Sequence, residues 1–186
     1  MSRIIAGTLK GRRIATPKGD RTRPTSDRVR EALFNALVPG GNLEGLRVAD
    51  FFAGSGAIGL EACSRGAEHA LFVEAHAGTA RLLRQNVAEL NLIERTEVLA
   101  AKAATVASSP PSQPFDVIFA DPPYEFSEVD LGSLLGDLQA HGWCAPGADM
   151  VIERGSKSPE PLWPSAAIES RSRRYGSSTL WYGFLT

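Results

Sequence analysis

A chain of 186 residues, 43% hydrophobic and 22% charged, can bury the core of one compact domain, which excludes a low-complexity or disordered protein. With no apolar run near the roughly 20 residues of a membrane span, no apolar leader and no C-x-x-C pairing of Cys63 and Cys144, a soluble cytoplasmic monomer with two packing cysteines is expected. The net charge of −1 conceals an asymmetry: residues 1–30 carry nine basic side chains against Asp20 and Asp27, a local +7, which leaves −8 on the remainder.

From Arg3 to Ala15, two short β-branched segments surround Gly7-Thr8-Leu9-Lys10-Gly11, the pattern of a hairpin. Pro17 to Pro24 reads as a polar loop. Thr25 and Ser26 then offer N-caps for a helix whose Val29, Leu33 and Leu37 recur at helical spacing, and which ends near Pro39-Gly40-Gly41. Residues 1–41 therefore form a basic extension on an acidic body. That layout suits a segment that grips a polyanion, because neutralised phosphates release condensed counterions. The candidate contacts to nucleic acid are Arg3, Arg12, Arg13, Arg23, Thr25, Arg28 and Arg30, of which Arg28 and Arg30 could also pair with Glu31 or line the active site.

From Leu46 onward, strands alternate with helices in the manner of a parallel sheet covered on both faces. Strands are expected at Arg47 to Phe51, Ala70 to Glu74, Thr96 to Ala100, Phe115 to Ala120 and Met150 to Glu153. Helices are expected at Ile58 to Arg65, Thr79 to Leu92 and Leu131 to Leu138, and the Ser- and Pro-rich stretch from Ala107 to Pro114 reads as a surface loop. Ile168 to Arg171 and Thr179 to Leu185 are placed to pair as a terminal hairpin.

The turn after the first of these strands, Asp50-Phe51-Phe52-Ala53-Gly54-Ser55-Gly56-Ala57-Ile58-Gly59, contains G-x-G-x-x-G, with Glu74 20 residues beyond Gly54. Taken alone it matches a dinucleotide fingerprint. Asp50 argues against that ligand, since a carboxylate at the strand end repels a pyrophosphate. S-adenosylmethionine carries a sulfonium and an ammonium and no phosphate, so it suits an acid there. The expected contacts are Asp50 near the methionine moiety, the Gly54 to Gly56 backbone, Ser55 included, against the cofactor, and Glu74 at the ribose hydroxyls, with Phe51, Ala53 and Ala75 also counted as cofactor-binding.

The fourth strand runs directly into Asp121-Pro122-Pro123-Tyr124. An exocyclic amine on a base is a poor nucleophile because its lone pair is delocalised into the ring. Acceptors that hold its N–H groups let the nitrogen rehybridise. The Asp121 carboxylate can take one N–H and the Pro122 carbonyl the other, with Pro122 and Pro123 stiffening the turn. Tyr124 offers an aromatic face to a flipped base, a stack worth roughly 1–3 kcal/mol. No metal is needed.

With these motifs in place, the chain resembles the RsmD family of small-subunit (16S) ribosomal RNA guanine-N2 methyltransferases over nearly its whole length. The resemblance rests on Arg3 to Gly7, Gly11-Arg12-Arg13, Arg23-Pro24-Thr25 with Asp27 to Asn35, Asp50 to Gly59, Phe72-Val73-Glu74 and Asp121 to Tyr124. It implies an α/β, Rossmann-like, seven-stranded S-adenosylmethionine-dependent methyltransferase fold with an N-terminal β-hairpin extension, in a single domain over residues 1–186. It also implies the substrate: the N2 amine of a guanine in 16S RNA, at position 966, within an assembling 30S particle. Ala100-Ala101-Lys102-Ala103 has no acid after the third strand, so Lys102 and Ala103 are expected to meet the adenine through backbone or apolar contact. Two rivals stand beside this reading, an adenine-N6 DNA methyltransferase and an RNA-binding assembly factor that has lost the reaction. A chain this short leaves little room for a separate DNA-reading domain, and intact Asp50, Glu74 and Asp121 count against the second.

Overall fold

The computed structural model describes residues 2–17, 27–37, 39–165 and 168–185. Its amino-terminal hairpin pairs β1 (Ser2–Arg3) antiparallel with β2 (Arg13–Ile14). After α1 (Asp27–Leu37) come β3 (Arg47–Phe51), α2 (Ala57–Ser64), β4 (His69–Val73), α3 (Ala77–Glu89) and β5 (Thr96–Leu99), then α4 (Ala103–Ala107), β6 (Phe115–Ala120) and α5 (Glu128–Ala140). β7 (Cys144–Gly155), β8 (Ile168–Tyr175) and β9 (Ser178–Leu185) complete a seven-stranded sheet in the order β5-β4-β3-β6-β7-β9-β8. The first five strands of that order run parallel, and β9 lies antiparallel between β7 and β8. This is the Rossmann-like α/β architecture expected, including the antiparallel close.

Strand alternation divides the core. Ala49, Phe51, Ile118, Ala120, Met150 and Ile152 pack under α4 and α5, while Val48, Val117, Phe119, Val151 and Leu180 meet α1 and α2 on the opposite face. The hairpin lies on that second face, where Ile4 and Ile14 join Leu60, Phe72, Leu83 and Val87. Three buried polar side chains fix it there. Glu61 of α2 accepts the Ile5 and Ala6 N–H groups at 2.7 and 2.9 Å, Ser64 Oγ accepts the Leu9 N–H at 2.9 Å, and Asn86 of α3 bonds both backbone groups of Ala15. Gly7, at φ 80°, approaches so closely that a Cβ would stand 1.9 Å from the Ser64 carbonyl oxygen.

Three expectations are corrected. The hairpin strands are only two residues long, because the chain turns through Gly7 and Gly11, both at positive φ. A short helix, α4, occupies Ala103–Ala107, ahead of the loop expected from Ala107, in a stretch whose sequence suggests no element. β7 begins at Cys144 rather than Met150, with an irregular register where Pro146 and Gly147 interrupt the alternation. The cysteines are free, Cys63 being buried in the core and Cys144 half-buried. His76 caps α3, where its side chain accepts the Thr79 N–H, and His141 sits at the C-cap of α5, in the capping roles expected of them.

Candidate active site

Three acids on one face of the sheet converge at its carboxyl edge. Asp50, the last residue but one of β3, lies on the α2 side, and the same alternation sends Asp121, just beyond β6, and Glu153 of β7 to that side. Asp50 is 1% exposed, and its Oδ2 accepts the Gly59 N–H of α2 at 3.1 Å. Burial pushes its pKa up to about 7; the Gly59 hydrogen bond opposes the rise and the charge of Glu74 adds to it. Asp121 is raised well above the ordinary carboxylate value by burial, then by Glu153 and Asp50, with Arg154 pulling the other way. A basin of crowded carboxylates repels phosphate and attracts a cation.

The glycines of the first turn separate into two roles. A Cβ on Gly56 would lie 2.2 Å from Leu83, and one on Gly59 would lie 2.3 Å from Phe72, so these two let α2 sit close to α3 and β4. Gly54, at φ 55°, has open space where its Cβ would be, and its N–H donates to Glu74 Oε2 at 2.9 Å. The other oxygen of Glu74 accepts the His76 N–H at 2.7 Å, so this one side chain ties the first and second strand turns together. An open glycine backbone beside an acidic edge, with a carboxylate at the next strand end, fits S-adenosylmethionine: room for the chain, negative charge for the sulfonium, acceptors for hydroxyls.

The side chain of Phe51 is fully buried and packs edge-on against Trp143, so only its backbone is available at the turn. Phe52, the next residue, is half-buried in the turn. It holds φ 64°, an uncommon conformation for a non-glycine residue, and packs edge-on against Phe126 at 5.2 Å, joining the first turn to the loop after β6. Ala53 and Ser55 are half-buried in the turn; Ala75 and Lys102 are exposed at the ends of β4 and β5, and Ala103 is buried at the start of α4.

Among the described residues, the Asp121 carboxylate and the Pro122 carbonyl accept no hydrogen bond, whereas the Pro123 carbonyl accepts the Phe126 N–H at 2.9 Å and closes the turn. Ser127 caps α5 by accepting the Asp130 N–H at 3.0 Å, which carries the turn directly into a helix. Tyr124 is 73% exposed and borders an open groove of about 360 Å³ with Gly155, Ser156, Lys157, Ser158 and Ser177. Two free acceptors thus stand next to a solvent-facing aromatic ring.

Sequence reasoning missed the residues that support this edge. Arg154 of β7 points to the α5 side, donating to Glu128 at 2.6 Å and to the Phe126 carbonyl at 2.9 Å, and so clamps the loop that follows Asp121. Asn86 is 1% exposed; besides Ala15 it donates to the Ser55 carbonyl at 3.0 Å and ties the hairpin to the first turn. The sequence cue for both was a polar residue at a core-facing position. Replacing Asn86 with Ala should cost about 1–3 kcal/mol, since it leaves two half-buried Ala15 backbone groups and the Ser55 carbonyl without their partner. Urea denaturation would read that loss, and a midpoint equal to wild type would contradict the anchoring role.

The basic extension divides. Arg3, Arg13 and Arg28 are exposed, and Arg12 is exposed with one bond to the Glu89 carbonyl at 2.7 Å. Arg30 is fully buried, its Nη2 bonding Ser2, the Arg3 carbonyl and Asp27. That makes it a staple between α1 and the hairpin, in place of the surface phosphate contact expected of it. Arg23 and Thr25 lie outside the described residues.

The fold and this acid-lined turn define the class, an S-adenosylmethionine-dependent methyltransferase. Residues 2–183 match the family model described as Conserved hypothetical protein 95. The chain is 36% identical over 159 residues to Ribosomal RNA small subunit methyltransferase D of Haemophilus influenzae, spanning 84% of this chain and 80% of that one. Its identity to the Escherichia coli protein of the same name is 35% over 163 residues, 88% and 79% of the two chains. This chain therefore belongs to that family, the RsmD family. Among solved structures, the Escherichia coli protein yhhF superposes with a TM-score of 0.87 at 32% identity, over 99% of this chain and 97% of that one. Magnesium protoporphyrin IX methyltransferase of Synechocystis, with its cofactor bound, superposes at 0.66 over 86% and 79% of the chains; at 13% identity it shares the fold alone.

Proposed function

We propose that this chain methylates the exocyclic N2 amine of a guanine in 16S ribosomal RNA, the guanine at position 966, during small-subunit maturation with the assembling 30S particle as substrate. The observation that carries the chemistry is the pair of free acceptors, Asp121 and Pro122, beside exposed Tyr124. The names of the relatives supply the ribosomal RNA.

When bound, S-adenosylmethionine supplies an electrophilic methyl group. Gly54, Ser55, Glu74 and Ala75 would hold it at the first two strand turns, Lys102 and Ala103 would meet its adenine, and Asp50 would supply negative charge for its sulfonium and ammonium. Asp121 accepts one N–H of the amine and Pro122 the other, which localises the nitrogen lone pair. The raised proton affinity of Asp121 makes it the stronger acceptor, and it takes the proton that the amine gives up. Tyr124 stacks on the base. Arg3, Arg12, Arg13, Arg23, Thr25 and Arg28 grip the phosphate backbone, while Arg30 keeps the hairpin seated.

Methyl transfer from labelled cofactor to immature 30S particles, free 16S RNA and duplex DNA tests this. N2-methylguanine in the particle or the RNA is expected, and none in DNA. N6-methyladenine in DNA would overturn the substrate, and transfer to none of the three would reduce the protein to an assembly factor.

A further inference from the structure

The outer edge of the sheet carries charge of the wrong sign for the body it belongs to. Beyond residue 30 the chain has a net charge of −8, yet β8 holds Arg171, Arg173 and Arg174 against the single acid Glu169. Charged side chains often guard an edge strand against pairing with another chain. A guard works anywhere along the strand, but here the arginines lie toward one end. Tyr175 pairs with Ser178, which in turn pairs with Gly155, so the carboxyl end of β8 lies in the same row as the wall of the groove beside Tyr124.

Arg171 is committed to the fold: it donates to the Ala36 carbonyl of α1 at 2.9 Å and lies over the Tyr182 ring. The other two are exposed. Arg173 makes no hydrogen bond or ion pair with a described residue, and Arg174 makes only a long 3.4 Å bond to the Gly176 carbonyl. Lys157, exposed on the connection after β7, also lacks a described partner and lines the groove itself. Neighbouring strands are about 4.8 Å apart, so β8, three positions from β6 in the sheet order, lies roughly 15 Å from the strand that carries Asp121. The hairpin, tied through Asn86 to Ser55, lies over α2 and α3 beside β3 and β4. The two basic surfaces thus lie on opposite sides of β6 in the strand order.

We propose that Lys157, Arg173 and Arg174 form a second phosphate-binding surface, wrapped around the β8 edge because Arg173 and Arg174 project from opposite faces of that strand, which holds the RNA backbone on the far side of the target base from the hairpin. This rests on the RNA substrate proposed above and adds a surface to it. An RNA strand crossing the carboxyl edge is gripped at both ends, and the groove beside Tyr124 lies between the grips.

Binding of 16S RNA to the full chain, measured across a salt series, tests the surface with the variant K157Q/R173Q/R174Q, whose three side chains are exposed and whose folding a thermal melt checks. The log-log salt slope should fall by about two units, at roughly 0.7–0.9 per lost phosphate contact. The KM for RNA should rise while S-adenosylhomocysteine affinity stays unchanged. Wild-type protein that binds RNA with salt dependence, beside a variant of equal slope and equal KM, would overturn the surface and leave the enzymatic reading standing. Wild-type protein with no salt-dependent RNA binding would overturn both.

Discussion

Replacing Asp121 with Ala should lower turnover by roughly 10²–10³ while leaving cofactor affinity within about twofold, by analogy with the loss of one preorganised polar contact in an active site. The separation follows from position. Asp121 follows β6 at the carboxyl edge, accepts no hydrogen bond among the described residues, and supports none of the glycine turn, which is held by Glu74 and by the Asp50–Gly59 hydrogen bond. Asp121→Asn keeps the shape but not the charge, and should recover little. The wild-type enzyme should also lose activity on acidification well above the 3.8 of an ordinary carboxylate, because burial and the neighbouring Glu153 and Asp50 raise the Asp121 pKa and the protonated form cannot accept the amine N–H. Single-turnover rates against pH, with parallel calorimetry on S-adenosylhomocysteine, would check both. An equal fall in cofactor affinity would move Asp121 from the substrate to the cofactor.

Asp50→Asn should stabilise the free protein and weaken cofactor binding together. The folded-state pKa of Asp50, about 7, lies above the 3.8 of an exposed carboxylate. Between those values the folded chain keeps a proton that the unfolded chain has released, so stability falls as pH rises through that window, and the whole cost is present above it. At pH 8 the neutral amide removes that cost, about 2–4 kcal/mol or roughly 5–10 °C in Tm, while its side-chain oxygen can still accept the Gly59 N–H. The same change removes negative charge from the basin and should cost ten- to a hundredfold in affinity for the cationic cofactor. Scanning calorimetry at pH 4 and pH 8 should show the gain only at the higher pH. A lower Tm at pH 8, or unchanged affinity, would contradict this assignment. A carboxylate that weakens the free enzyme and serves its ligand is the trade expected of an active site.

Much of the sheet was legible because its strands are short, apolar and punctuated by glycine: Arg47–Phe51, Phe115–Ala120 and the turns after them stand where periodicity puts them. The choice between a phosphate and a sulfonium ligand was also legible, from the single residue Asp50. What escaped did so for physical reasons. The five residues of α4 are too few to show a helical period, and Pro146-Gly147 disguised the first half of β7. Phe51 and Phe52 are chemically identical, and the core's claim on Phe51 depends on Trp143, 92 positions away. Glu61, Asn86 and Arg154 serve distant backbone groups, which no local pattern announces. Arg30 looked like its basic neighbours until the fold enclosed it.

The most direct test of an amine held by Asp121 and Pro122 is nucleoside mass spectrometry of 16S RNA from cells that lack this chain, re-supplied with wild type or Asp121→Ala. One N2-methylguanosine should vanish on deletion, return with the wild-type chain and stay absent with the variant. A complete modification profile in the deletion strain, or full restoration by Asp121→Ala, would contradict the account.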